Sequence, residues 1–330
     1  MIRLIAAGLC ALMVALAAPA TAQTVVSAER RETTLNTIQT VQQADQRVMA
    51  ALDRVIQDIV RLNEAPESQF GDAFDALSST LADARSEVRG IIADLTSIPT
   101  TSRLDDPADV QLVDHMVLMS IEQATKVDRM LSDMETYYAA LLVGDEAKMK
   151  ATQASINSAP VVMSESTAQR LRSAGALYPT SSYDHTIVTG TACFYDGIAA
   201  YYRVSMAYDM GRPIPVRAQE IDQTIADLSA AIACMEASLP RARFSMAAES
   251  QLYIPDPRLR RLREAVTPIR DDFLVNMDAG MGILISIHGF LTEERGLDGR
   301  TSAIDERVAA YEGVNADIAG RIFRLNQTGP

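Results

Sequence analysis

The stretch FGDAFDALSSTLADARSEVRGIIADLTSI, Phe70 to Ile98, decides the fold. In it Phe70, Phe74, Leu77, Leu81, Ala84, Val88, Ile91, Leu95 and Ile98 recur at alternating steps of four and three. A strand would put every second residue on one face, whereas these steps keep the side chains on one narrow seam of a helix. Helices that pack at about +20° need such a seam. Upstream, Ile38, Val41, Val48, Leu52, Val55, Ile59 and Leu62 hold the same register, with Asp45 as its one polar member. Asn63-Glu64-Ala65-Pro66 breaks the pattern between the two runs. Two helices of about 30 residues joined by a short breaker predict an antiparallel, coiled-coil-like hairpin roughly 45 Å long. Asp45 either sets the register of that seam or marks a place where it opens to solvent.

Outward from the hairpin, helical periodicity continues. Asp106-Pro107 reads as an N-cap followed by proline at the first helical position, opening a helix that ends at Gly144. A shorter helix is expected over 145–157. Residues 158–185 hold two prolines and many Ser and Thr, and they read as a long surface connection with at most a short helix over 166–174. Further helices are expected over 186–209, 216–238, 256–295 (kinked at Pro268) and 302–326, with an irregular stretch at 240–255. In the last of these, Ile304, Val308, Tyr311, Ile318, Ile322 and Leu325 face inward. The expected fold is all-α, an elongated bundle of about seven to nine long antiparallel helices. Residues 23–100 form its hairpin and 105–330 the remaining bundle, either separate from the hairpin or continuous with it as one domain.

The 330 residues carry 43 acidic and 30 basic side chains, a formal charge of −13. That balance excludes nucleic acid as a partner, because neutralising phosphates needs a basic face. At the N-terminus, Arg3 precedes the apolar stretch Leu4–Ala18, and Ala20-Thr21-Ala22 offers a cleavage site before Gln23. Residues 1–22 therefore read as a signal peptide, and the mature chain is expected to be periplasmic or secreted. Losing Arg3 turns −13 into −14. After Gln23 the longest apolar stretch, Ala279–Leu291, has the length of a buried helix, so no transmembrane segment is expected.

Cys193 and Cys234 are the two cysteines left after cleavage, and they lie symmetrically about the Arg212-Pro213-Ile214-Pro215 turn. In an antiparallel helix pair, residues equally distant from the turn share one height. With an oxidising compartment this predicts a disulfide, worth roughly 4 kcal/mol through loop closure. No catalytic constellation emerges: there is no HExxH, no GxSxG, and no second His or Cys at metal-ligand spacing from His115, His185 or His288. His115 and Met119, at i and i+4, are weak metal candidates. The pairs Met130/Met134, Met206/Met210 and Met277/Met281 could hold reduced copper, although core packing also accounts for them. Gly280 and Gly282 fall within a helix and suit close helix–helix approach.

Two clusters remain. Arg258, Arg260, Arg261 and Arg263 crowd one helix start in an acidic chain, where they could grip an anionic ligand, a lipid headgroup or an acidic partner. Tyr195, Tyr201, Tyr202 and Tyr208 could line a pocket. The function expected from these features is a non-enzymatic interaction or scaffold protein without a cofactor, showing long helical faces to protein partners outside the cytoplasm. The alternative is an extracytoplasmic small-molecule-binding or sensor-like bundle. A copper carrier or enzyme comes third.

Overall fold

The computed structural model describes residues 28–98, 107–205, 208–209, 212–213, 216–297 and 300–328. The proposed signal peptide, 1–22, lies outside them. The first helices are α1 (Ala28–Glu64), a one-turn 3-10 helix (Glu67–Gln69), α2 (Phe70–Thr96), α3 (Pro107–Val143) and α4 (Glu146–Gly175). Then come α5 (Tyr183–Ser205), the two-residue strands β1 (Tyr208–Asp209) and β2 (Arg212–Pro213), α6 (Ala218–Gln251), α7 (Pro257–Glu293) and α8 (Thr301–Thr328). The chain is an all-α bundle with eight α-helices among the described residues. The β1–β2 ribbon closes the α5–α6 connection, so the helix expected to reach 209 stops at Ser205.

Each helix packs on the next in the opposite sense. Arg54 pairs with Glu87 between α1 and α2, and Arg85 with Glu135 between α2 and α3. Ser155 donates to Asp133 between α4 and α3, Arg203 pairs with Glu165 between α5 and α4, and Arg321 pairs with Asp272 between α8 and α7. The seam of α2 is buried from Phe74 to Leu95, against Val41, Val48, Leu52 and Val55 of α1 and Val127 and Leu131 of α3. Asp45 is buried at its register position and accepts a hydrogen bond from the Ser120 hydroxyl of α3. The seam is therefore closed there, and its polar member is satisfied across the helix interface.

Two expectations are corrected. Residues 158–185 are not mainly a connection: α4 runs unbroken to Gly175, through a buried Pro160. Its inward stripe is Met163, Thr167, Ala168, Leu171 and Ala174, with only one branched aliphatic residue. Small side chains there let α4 and α5 approach closely, and that burial outweighs the hydrogen bond a mid-helix proline removes. Likewise α6 does not end before Pro240 but continues to Gln251. Pro240 is exposed, while Leu239, Ala242 and Ser245 carry the buried stripe onward.

The core is one contiguous cluster from Val41 to Ile318. Its most enclosed element is α5, of whose 23 residues 18 are buried. The neighbours α4, α6, α7 and α8 surround it. Two glycines make the approach of α7 possible: a Cβ on Gly197 would fall 2.6 Å from Leu284 Cδ1, and one on Gly190 would overlap Met277. Gly280 of α7 similarly leaves room for the Tyr311 ring of α8, whereas Gly282 faces open space. By length and composition alone, the Arg263–Glu293 part of α7 could cross a membrane, since an 18-residue window within it has a mean hydropathy of 1.4. In this fold it packs against α5, α6 and α8.

Candidate functional site

Where α5, α7 and α8 meet, the interior turns polar. Glu312 of α8 is 2 % exposed. The Tyr195 hydroxyl of α5 donates to its Oε1 over a long 3.4 Å. Its Oε2 is buried without a hydrogen-bond partner, and so is the Tyr202 hydroxyl. One helical turn on, Asn276 of α7 donates to the Asn315 side-chain oxygen at 2.8 Å and to the Tyr311 carbonyl at 3.0 Å. Burial drives Glu312 well above the usual carboxylate range, a rise that the Tyr195 hydrogen bond only moderates. Burial thus favours the protonated form of this carboxyl. Burial, and then the nearby Glu312, also push the Tyr195 and Tyr202 phenols far up. Tyr311 rises to about 12 through burial, moderated by Asn315 and Thr191.

Chemically this is a carboxyl group, biased by burial towards its protonated form, facing phenols inside an apolar bundle. A protonated carboxyl offers one donor and spare acceptor capacity. Each orphan polar group left there costs about 1–3 kcal/mol, so the cluster would gain by hydrogen-bonding a small polar guest.

Three of the four tyrosines expected to line a pocket converge on α5. Tyr195, Tyr201 and Tyr202 are all fully buried. Tyr201 points away from Glu312, donating to Asp305 at 2.9 Å and to the Thr301 carbonyl at 3.3 Å. Tyr208 belongs to β1, and its side chain lies outside the described residues. Glu312, Asn276 and Asn315 are not found by a search for motifs. A signal does exist: the α8 stripe jumps from Tyr311 to Ile318, and the vacant seam position between them holds Asn315.

The Cys193 and Cys234 sulfurs lie 2.02 Å apart, with Cα atoms 6.2 Å apart, and join α5 to α6. Of the arginine cluster, the Arg258 side chain lies outside the described residues. Arg263 caps the end of α6, donating to the Glu249 and Leu252 carbonyls at 3.1 and 2.6 Å. Arg260 reaches the Ile254 carbonyl at 3.4 Å, and Arg261 is exposed. Under this corner Arg270 stacks on the Tyr183 ring at 4.6 Å, and it pairs with Asp184 at 3.5 Å and Glu249 at 2.6 Å. Burial raises Asp184 to about 6 despite Arg270.

His115 Nε2 lies 3.2 Å from the Arg170 carbonyl, and Met119 is buried one turn along. His185 Nδ1 meets the Gly175 carbonyl at the end of α4, and His288 Nε2 meets Ser229. Among the described residues no three His, Cys, Asp or Glu side chains group as metal ligands. Comparison with family models, with curated proteins and with solved structures finds no match to this chain.

Proposed function

We propose that this chain is an exported, non-enzymatic interaction protein whose helical ends and faces engage protein partners outside the cytoplasm. The observation that supports this reading is apolar surface at one end of the bundle. At the α3–α4 turn Leu142 is 60 % and Val143 78 % exposed. Exposed Phe70 lies at the same end, its ring 6.4 Å from that of the buried Phe74, which is in turn 6.4 Å from Tyr138. Exposed large apolar side chains gathered at one end in this way are characteristic of protein contacts. A photo-crosslinker placed at Val143 in the chain's own host should give a discrete heavier adduct that Leu142→Asp abolishes. Labelling no different from that at an exposed polar position such as Glu146 would overturn the reading.

A second reading, a small-molecule-binding bundle, is favoured by the orphan Oε2 of Glu312 beside the orphan Tyr202 hydroxyl. Native mass spectrometry of protein purified from its host should then reveal a stoichiometric small ligand, absent from Glu312→Leu. A spectrum with the apoprotein mass alone would retire it.

A further inference from the structure

The opposite end of the bundle differs in charge and in exposed side chains. Between Arg241 and Glu264 the chain carries six arginines, at 241, 243, 258, 260, 261 and 263, against Glu249, Asp256 and Glu264. Glu249 is already engaged by Arg270. The adjoining α4–α5 turn, held to α6 by the Ser245 hydroxyl on the Ser181 carbonyl, contains no charged residue from 176 to 182. A chain of net charge −13 thus keeps one distinctly basic corner.

That corner also carries three exposed large apolar side chains, two of them the most exposed of the α5-centred part. Tyr253 is 85 %, Phe244 76 % and Leu252 61 % exposed. The two features share one place: Arg263 and Arg260 reach into the 252–256 connection to bond the Leu252 and Ile254 carbonyls, on either side of Tyr253. Arg241 and Arg243, both exposed, flank Phe244 along α6.

We propose that this corner, made by the end of α6, the 252–256 connection and the start of α7, docks on an anionic phospholipid bilayer. Arginine guanidinium groups bond headgroup phosphates while their stems lie along apolar surface. Tyrosine, phenylalanine and leucine enter the boundary between headgroups and acyl chains. An acidic protein partner would satisfy the arginines, but it would have to provide a matching cavity for Leu252 and Tyr253 on the connection and for Phe244 on α6. A fluid bilayer receives them without one. The strongly acidic remainder of the chain is repelled by the same surface, which orients the long axis away from it.

Flotation with vesicles of phosphatidylcholine alone, and of phosphatidylcholine with phosphatidylglycerol, tests this. The full chain and the chain beginning at Gln23 are both used, because the apolar segment 4–18 can insert into either bilayer; headgroup dependence is therefore the readout. Binding should require phosphatidylglycerol and weaken with salt. Arg260→Gln with Arg261→Gln should weaken it about 25-fold, roughly fivefold for each charge. Leu252→Ser with Tyr253→Ser should weaken it about tenfold or more. These side chains are exposed, so circular dichroism should be unchanged for both pairs. Equal binding to both vesicle types, no binding, or indifference to the arginine pair would overturn the proposal. So would binding to soluble polyglutamate as tight as to vesicles and indifferent to the Leu252/Tyr253 pair, which would identify an acidic polypeptide instead.

Discussion

In α1 and α2 each helix turns a stripe made mainly of Val, Leu, Ile and Ala inward, with Asp45 and Asp58 its buried acids. The α3 helix adds methionines to the same core, and most charge stays outside, where Arg54–Glu87 and Arg89–Asp128 span the grooves. In the α5-centred part, one helix is enclosed by four others, and its surroundings mix tyrosine rings, asparagines and a glutamic acid. The first arrangement tolerates change at its surface and is stabilised by area. The second depends on shape and on polar groups buried among apolar side chains, so single atoms matter more there.

The largest test of this contrast is covalent. Replacing both Cys193 and Cys234 with Ser should cost about 4 kcal/mol in denaturant unfolding, because a closed loop of roughly 42 residues is released in the unfolded chain. Hydrogen exchange should show the loss in α5 and α6, with α1 and α2 less affected. Next comes a pair of glycines. Gly197→Val should destabilise by about 3 kcal/mol, since its side chain would overlap the fully buried Leu284 side chain. Gly90→Ala, on the open face of α2, should instead stabilise by about 0.8 kcal/mol. Similar melting shifts for the two would erase the distinction between the regions.

A pH series probes the buried acids. Asp184 has its folded pKa raised to about 6 by burial, against an ordinary 3.8. The folded state then holds the extra proton between these values, so the contribution of Asp184 is full below pH 3.8 and is lost as pH rises through 6. Asp184→Asn mimics the protonated form. Its stability relative to wild type should therefore fall by on the order of 2 kcal/mol between pH 7 and pH 4. A difference that does not change with pH would count against the burial of that carboxyl. The smallest effect is expected at Tyr202→Phe, which removes an orphan hydroxyl. It should be neutral or stabilising by up to about 1 kcal/mol, and a marked loss would mean that the hydroxyl has a bound partner.

Sequence legibility follows the same divide. The α1–α2 hairpin can be read residue by residue, because its seam is written in large aliphatic side chains at regular steps. The α4 and α6 helices are under-read because their inward stripes use Thr, Ala, Ser and Met, residues with no strong inside or outside preference, and because Pro160 and Pro240 look like stops. The disulfide is visible because symmetry about a turn is a property of numbering alone. The Glu312 cluster is not, because its members come from three helices far apart in the chain, and only their packing makes them neighbours.

The enclosure of α5 also constrains the order in which the chain can fold. Its last covering helix begins at Thr301, almost a hundred residues after α5 ends at Ser205. A chain that emerges N-terminus first presents α1–α3 complete while α5 still shows its apolar sides to the surroundings. The N-terminal hairpin can form during synthesis, whereas the α5-centred part must wait for nearly the whole chain. Truncations before about residue 300 should therefore leave a soluble helical stub attached to a sticky, protease-sensitive remainder.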